Sequence, residues 1–310
     1  MALKIAISWV RSHEKQNPAI YDITTIWNSW NLDEKKHSLV LLCPDGERAE
    51  KERELEKQRK RVTFQAPKAK VKEHLHTEIH ILVIPGRHAK DLDADRENFE
   101  RSVLRFELLK CTPILAICGA LPLFLSVIRH HEGIDANELR LKDVERGESG
   151  HSNRQGMIRL NLEGRIVYNV AKHPLEVEEG TLLSQHIPNG EEVNSVHSTV
   201  LREELIPAIL TISARDSVRN TIECLESNQR WNGGPLLAVQ FHAEAYCYQN
   251  ESPQKQLMLA FFELAVADAE YDSGFYSSED EEQEEEEPSD ESSDGEDIHA
   301  IVKITQRIHI

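Results

Sequence analysis

The feature that most constrains the fold is a pair of short apolar segments between residues 78 and 118, separated by a charged segment. The first, EIHILVIPG, ends in Pro-Gly, and the second, TPILAIC, ends in a cysteine. The segment between them places apolar residues such as Phe99, Val103 and Phe106 at helical spacing. Neither apolar run alternates with polar residues, which is typical of strands covered on both faces. Strand, helix and strand with short connections predict a right-handed crossover in a parallel sheet.

The rest of the sequence extends this sheet. Residues 3–10 and 38–44 are apolar runs that predict two more strands, with a helix between them. From residue 156 onward, alternating segments predict further strands, several of them antiparallel: GMIRLNLEGRIVYNV, TLLSQ, EEVNSVHSTVL, AILTISARD, TIECLES and LLAVQFHAE. A final helix, PQKQLMLAFFELAVADAEY, follows. The predicted fold class is α/β with three layers, a mostly parallel central sheet of the flavodoxin-like type, and an additional antiparallel portion.

Charge divides the chain into a body and a tail. The formal net charge is -18, and residues 279–297 hold 13 acidic residues without a lysine or arginine. We therefore predict one domain over 1–270, with a charged insertion at 46–75, and an acidic disordered tail over 271–310 with a short apolar C-terminus. The body alone is only mildly acidic, which argues against nucleic acid as a partner. The tail could bind a protein partner.

The sequence predicts no membrane partner and a cytoplasmic location, because it has neither a signal-peptide pattern at the N-terminus nor a run of 18 apolar residues. Its five cysteines, at unrelated spacings, suggest neither a disulfide framework nor a zinc site. The segment HLHTEIH brings His74, His76 and His80 close together, but they share a face only if residues 74–80 form one strand. No metal site and no cofactor are predicted.

Cys118 stands where the second apolar run stops and the chain turns into a predicted helix. Small residues, Ala116 and Ala120, lie two positions before and after it, and Gly119 follows directly. This is the pattern of a nucleophile elbow, in which a sharp strand-to-helix turn raises a reactive side chain above the sheet. The helix N-terminus would favour the thiolate. Packing is the alternative, since a free cysteine also behaves as a small buried hydrophobe.

A cysteine nucleophile needs a base, and the base needs a group that orients it. In LLAVQFHAEA, His242 follows an apolar strand and Glu244 comes two residues later. Residues two apart on a strand face the same side, so the imidazole and the carboxylate are predicted to pair.

Five segments together resemble the class I glutamine amidotransferase-like superfamily, and within it the γ-glutamyl-peptide and γ-glutamyl-aminobutyrate hydrolases. In chain order they are VIPGRH (83–88), ADRENFE (94–100), AICGA (116–120), VNSVH (193–197) and VQFHAE (239–244). The resemblance covers roughly residues 3–267.

The resemblance implies a Cys-His-Glu triad in which Cys118 is the nucleophile, His242 the base and Glu244 the orienting acid. It implies an oxyanion hole from backbone N–H groups of Gly86, Arg87 and Gly119, and a substrate-cleft position for His197. It further implies hydrolysis of a small γ-glutamyl amide through a thioester, without a cofactor.

Several departures from the family pattern touch the cleft. Both elbow glycines are alanine, Pro122 stands where the family has glutamine, and Ala243 replaces the proline between His242 and Glu244. Two alternatives follow. A weak or inactive amidotransferase-like scaffold could serve as a binding or regulatory module, and a branch of the superfamily uses a reactive cysteine without a downstream His-x-Glu. The VQFHAE segment argues against that branch.

Overall fold

The structure is a computed structural model of the chain. It describes the strands of one large sheet together with the helices and loops around them, and every statement about the fold refers to these residues alone. They are residues 4–8, 19–30, 38–42, 63–65, 79–86, 94–134, 142–143, 158–162, 165–169, 171–197, 199–247 and 249–276.

Ten strands form the main sheet, in the order β10-β9-β12-β13-β14-β5-β4-β1-β2-β3. The half from β14 to β3 is parallel throughout, as the apolar runs of the sequence predict. These strands are β1 (Lys4–Ser8), β2 (Ser38–Leu42), β3 (Thr63–Gln65), β4 (Ile81–Ile84), β5 (Ile114–Ile117) and β14 (Leu236–Val239).

The other half of the sheet is antiparallel. Its strands are β9 (Ala171–Val177), β10 (Glu192–Ser195), β12 (Leu210–Asp216) and β13 (Ile222–Ser227). Short turns such as the one after Asp216, whose N–H bonds to the carbonyl of Thr221 (2.9 Å), can connect only antiparallel neighbours. The α/β class is confirmed, but the sheet is mixed rather than mostly parallel, with five parallel and four antiparallel pairings.

Two small antiparallel pairs complete the described strands. They are β6 (Lys142–Asp143) with β11 (Thr199–Val200), and β7 (Ile158–Leu162) with β8 (Arg165–Asn169).

Helices cover both faces of the sheet. Successive residues of β1 point to opposite sides, so Ile5 and Ile7 join one apolar cluster and Ala6 joins the other. In the first cluster, Trp27 packs edge-to-face on Phe262, with ring centroids 5.9 Å apart. The helices of this face are α1 (Ala19–Trp30), α4 (Leu182–His186) and α5 (Pro253–Tyr276), and those of the other face are α2 (Ala94–Leu109) and α3 (Leu121–His131). This is a three-layer arrangement.

One local prediction differs from the structure, and two described elements extend into the segments predicted as insertion and tail. TLLSQ was expected as a strand, but it forms the short helix α4, because Thr181 and Ser184 make a reciprocal capping box. Thr63–Gln65, within the predicted charged insertion, forms β3 at the edge of the sheet and pairs with β2. Helix α5 runs to Tyr276, beyond the predicted start of the tail at residue 271.

The chain divides into two units, Met1–Tyr271 and Asp272–Ile310. In the second unit, the described residues are the end of α5, and the remainder of the predicted tail lies outside the described residues. None of the helices in the described ranges is long and apolar enough to cross a membrane.

Candidate active site

The site lies where three neighbouring parallel strands end. The register pairs Ile84 of β4 with Ala116 of β5, and Ile117 of β5 with Val239 of β14. Because the carboxyl ends of parallel strands meet at one edge, the residues that follow these strands come together. These residues are Gly86, Cys118 and His242.

Cys118 occupies a sharp turn between β5 and α3, as predicted. Its φ is +49°, in the left-handed region that a side chain with a Cβ rarely adopts. A 3₁₀ turn over Cys118–Ala120 leads directly into α3. Ala116 and Ala120 are both fully buried, so little room exists there for larger side chains. The backbone is strained so that the thiol is presented at the start of a helix.

His242 pairs with Glu244, although by a different local structure from the one predicted. Strand β14 ends at Val239, and Glu244 lies in a 3₁₀ turn, Ala243–Tyr246, rather than on a strand. Nδ1 of His242 is 2.7 Å from Oε1 of Glu244, whose side chain is 1% exposed. This contact fixes the ring orientation and leaves the other ring nitrogen for the thiol.

Cys118 and His242 stabilise each other's charged forms. Burial on its own would raise the pKa of the Cys118 thiol, but the nearby charge of His242 and a hydrogen bond from it outweigh burial, so the pKa is lowered. Burial likewise opposes the charge of His242, yet the thiolate and Glu244 raise the pKa of the imidazole well above its usual value. The pair is therefore biased towards a thiolate and an imidazolium. The side-chain amide of Gln240 also donates to Sγ of Cys118, at 3.8 Å.

Asn194 holds the backbone of His242 on both sides. Its side-chain nitrogen donates to the carbonyl of His242 (2.9 Å), and its side-chain oxygen accepts from the N–H of His242 (2.8 Å). Asn194 lies within the VNSVH segment, where the sequence alone does not indicate this role. A two-point amide clamp of this kind positions the imidazole without touching its ring.

Gly86 approaches both reactive side chains. A Cβ on Gly86 would lie 2.8 Å from Cε1 of His242 and 3.2 Å from Cβ of Cys118. Glycine is therefore the residue that fits between them. Gly119 is half-buried and adjacent to Cys118. Arg87, the third residue of the predicted oxyanion hole, lies outside the described residues.

A positive charge on His197, which is 5% exposed, contributes to lowering the pKa of Cys118. It belongs to a buried cluster that sequence reasoning missed, together with His173 and Glu223. Nε2 of His197 is 3.4 Å from Oε1 of Glu223, and Nε2 of His173 is 3.6 Å from the same oxygen. These residues are 24 and 26 positions apart along the chain, so no local motif could have pointed to the cluster.

The alternative metal segment is only partly described. The ring nitrogen Nδ1 of His80 accepts a hydrogen bond from the backbone N–H of Lys4 (3.1 Å). His74 and His76 lie outside the described residues.

The comparisons with known proteins agree with this arrangement. Fold and site have the character of the class I glutamine amidotransferase-like superfamily, and residues 82–244 match the peptidase C26 family. That interval is more than half of the chain and contains Cys118, His242 and Glu244. The chain belongs to the peptidase C26 family, which confirms the resemblance read from the sequence. A cysteine-dependent amide hydrolase of the amidotransferase-like type is the class this family supports.

Solved structures show the same fold. One of the 70 matching chains is the Trypanosoma brucei CTPS glutaminase domain with bound acivicin, with a TM-score of 0.52 and 14% sequence identity. The match covers 86% of this chain and 94% of that chain. None of the curated proteins matches the sequence.

Proposed function

We propose that this protein hydrolyses γ-glutamyl amide bonds through a Cys118 thioester. The observation that supports this most directly is the convergence of Cys118, His242 and Glu244, in which His242 lowers the pKa of the thiol and contacts Glu244 at 2.7 Å. A lowered thiol pKa beside a raised imidazole pKa provides the nucleophile and the proton donor together.

The reaction has two halves. The Cys118 thiolate attacks the amide carbonyl, and the imidazolium of His242 gives its proton to the departing amine, so that the C–N bond breaks and a thioester remains. Water then attacks the thioester, His242 accepts a proton from it, and glutamate leaves while the thiolate is restored. Glu244 keeps the imidazole in the required tautomer throughout.

Backbone N–H groups at two turns would stabilise the tetrahedral oxyanion in both halves. The turn after β4 contributes Gly86 and Arg87, and the elbow contributes Gly119. Removing one such donor from an oxyanion hole typically costs about 100-fold to 1,000-fold in rate. His197 would face the substrate from the VNSVH segment, since its charge already acts on Cys118.

Two similarities support the γ-glutamyl specificity: membership of the peptidase C26 family and the shared fold with the T. brucei glutaminase domain. The second is relevant because glutamine is itself a γ-glutamyl amide. The acidic tail, the cytoplasmic location and a protein partner for the tail stay predictions of the sequence.

A panel of γ-glutamyl and α-glutamyl amides tests the proposal. The unaltered chain should release amine from the γ-glutamyl amides, and an acid-quenched sample should carry one glutamyl group on the peptide that contains Cys118. Cys118→Ser should lose at least about 100-fold in kcat/KM.

Cys111→Ser is the matched control, because Cys111 is an exposed thiol that precedes β5 whereas Cys118 follows it. This control should keep full activity. Equal turnover by the Cys118→Ser protein and the unaltered chain would refute the mechanism, and no turnover by either would favour the inactive scaffold.

A further inference from the structure

We propose that His173, His197 and Glu223 form a binding site for a divalent transition-metal ion, Zn²⁺ by the chemistry of the ligands. No metal site was expected from the sequence, and the proposal goes beyond the proposed hydrolysis, since it uses neither Cys118 nor His242. His197 is the residue that the two proposals share. It depends on side-chain geometry, burial and charge.

The geometry is close to that of a tetrahedral site. Zn²⁺ binds imidazole nitrogen and carboxylate oxygen at about 2.0 to 2.2 Å, which places two tetrahedral ligand atoms about 3.4 Å apart. Nε2 of His197 and Nε2 of His173 lie 3.4 and 3.6 Å from Oε1 of Glu223. The three candidate ligand atoms all lie within 4.8 Å of one another. Small ring rotations would bring the two imidazoles around one ion.

Rigid strands hold the three side chains. His173 is on β9 and Glu223 is on β13, both within the ten-stranded sheet, and His197 follows β10 by two residues. Backbone pairing fixes β9 against β10, with His173 opposite Val193. Sites built on sheet strands keep their geometry better than sites on loops.

Burial makes a cation favourable there. The carboxylate of Glu223 is fully buried, and His173 and His197 are 3% and 5% exposed. A buried carboxylate is costly unless a positive charge compensates it. A proton on an imidazole supplies one charge, and a divalent ion bound by two neutral imidazoles would supply two.

The ligand types select the ion. Two imidazoles and one carboxylate suit zinc and neighbouring transition metals, whereas Mg²⁺ and Ca²⁺ prefer oxygen ligands. With three protein ligands the fourth position would be left for water. The hydroxyl of Thr221 donates to the same carboxylate oxygen, Oε1 of Glu223, at 3.3 Å and so helps to orient it.

Equilibrium binding to the metal-stripped full-length chain tests the site, with Zn²⁺ as the probe and Mg²⁺ as the negative control. We expect one Zn²⁺ per chain, bound equally well by Cys118→Ala, because the thiol is not a ligand. His173→Gln and Glu223→Gln should each weaken binding at least about tenfold. His130→Gln, at an exposed histidine of α3, should not change the affinity.

The cysteine-histidine pair is the competing site for zinc in this fold. Loss of binding in Cys118→Ala, with binding kept in His173→Gln, would overturn the proposal and leave the hydrolase mechanism intact. Absence of Zn²⁺ binding to the unaltered chain would overturn it as well.

A second measurement does not require the variants to fold. Crystals of the unaltered chain soaked in Zn²⁺ should show an anomalous-scattering peak between the three side chains. A peak confined to any other position would refute the site.

Discussion

Replacing Gly86 with alanine tests the close packing of the reactive side chains. The added Cβ would lie 2.8 Å from Cε1 of His242, whereas ordinary contacts begin at 3.4 Å, so the imidazole must move away by about 0.6 Å. A misplacement of about 1 Å in an active site can cost about 100-fold in rate. We therefore expect kcat/KM on a γ-glutamyl amide to fall by about tenfold to 100-fold, mainly through kcat.

The rate of Cys118 alkylation by iodoacetamide gives a second reading that needs no substrate. As the imidazole moves away from the thiol, the thiolate loses its partner, and alkylation at neutral pH should slow in parallel with hydrolysis. Thermal unfolding of each protein is measured alongside the two rates, so that a lower rate can be distinguished from a loss of stability.

Gly133→Ala is the control for stability. Gly133 has a φ of +73° and no heavy atom within 4 Å of an added Cβ, so alanine there strains the backbone by about 1 kcal/mol and meets nothing. This variant should lose stability but keep its activity. If Gly86→Ala kept the hydrolysis and alkylation rates of the unaltered chain, the close approach of Gly86 to His242 would be wrong.

Two further predictions concern His242. Asn194→Ala removes both hydrogen bonds to the His242 backbone, so it should lower kcat more than it changes KM and should cost about 1–3 kcal/mol in unfolding free energy. Asn228→Ala is the control, because it also removes two hydrogen bonds to the backbone, those to Ala208 and Arg230. This control should lose stability but keep its activity. In the unaltered chain, alkylation of Cys118 should persist below the usual thiol pKa and stop as the pH falls through the lowered pKa, because the thiolate is then protonated. In His242→Gln, Cys118 stays buried but the imidazolium charge that opposes the effect of burial is gone. The pKa of the thiol should therefore rise, and the acid limb of the alkylation profile should move to higher pH. Superimposable profiles of the two proteins would contradict the pairing of Cys118 with His242.

The sequence was sufficient for the parts of the site that are local in the chain. The unbroken apolar runs predicted parallel strands, and small residues around Cys118 predicted the elbow, because both signals depend on neighbouring residues. The His242–Glu244 contact was also predicted, although the structure forms it through a 3₁₀ turn. Two-residue spacing alone does not distinguish a strand from such a turn.

The remaining features depend on contacts between distant segments. Glu223 meets two histidines only because β9 and β13 belong to one sheet, and Asn194 reaches His242 across 48 positions. The helix α4 was mistaken for a strand since TLLSQ is too short for periodicity to decide, and its capping box was not recognised.

The change of strand direction at β14 explains why the triad residues and the buried cluster share one region. On one side β14 runs parallel to β5, so its carboxyl end brings Gln240 and His242 to Cys118. On the other side it is antiparallel to β13, so the first residues of β13 face the same end, and the N–H of Gln240 bonds to the carbonyl of Glu223 (2.8 Å). A mostly parallel sheet would have placed the start of β13 at the opposite edge. An imidazolium charge at His197 helps to lower the pKa of Cys118, so the cluster and the triad are electrostatically coupled at this end of the sheet.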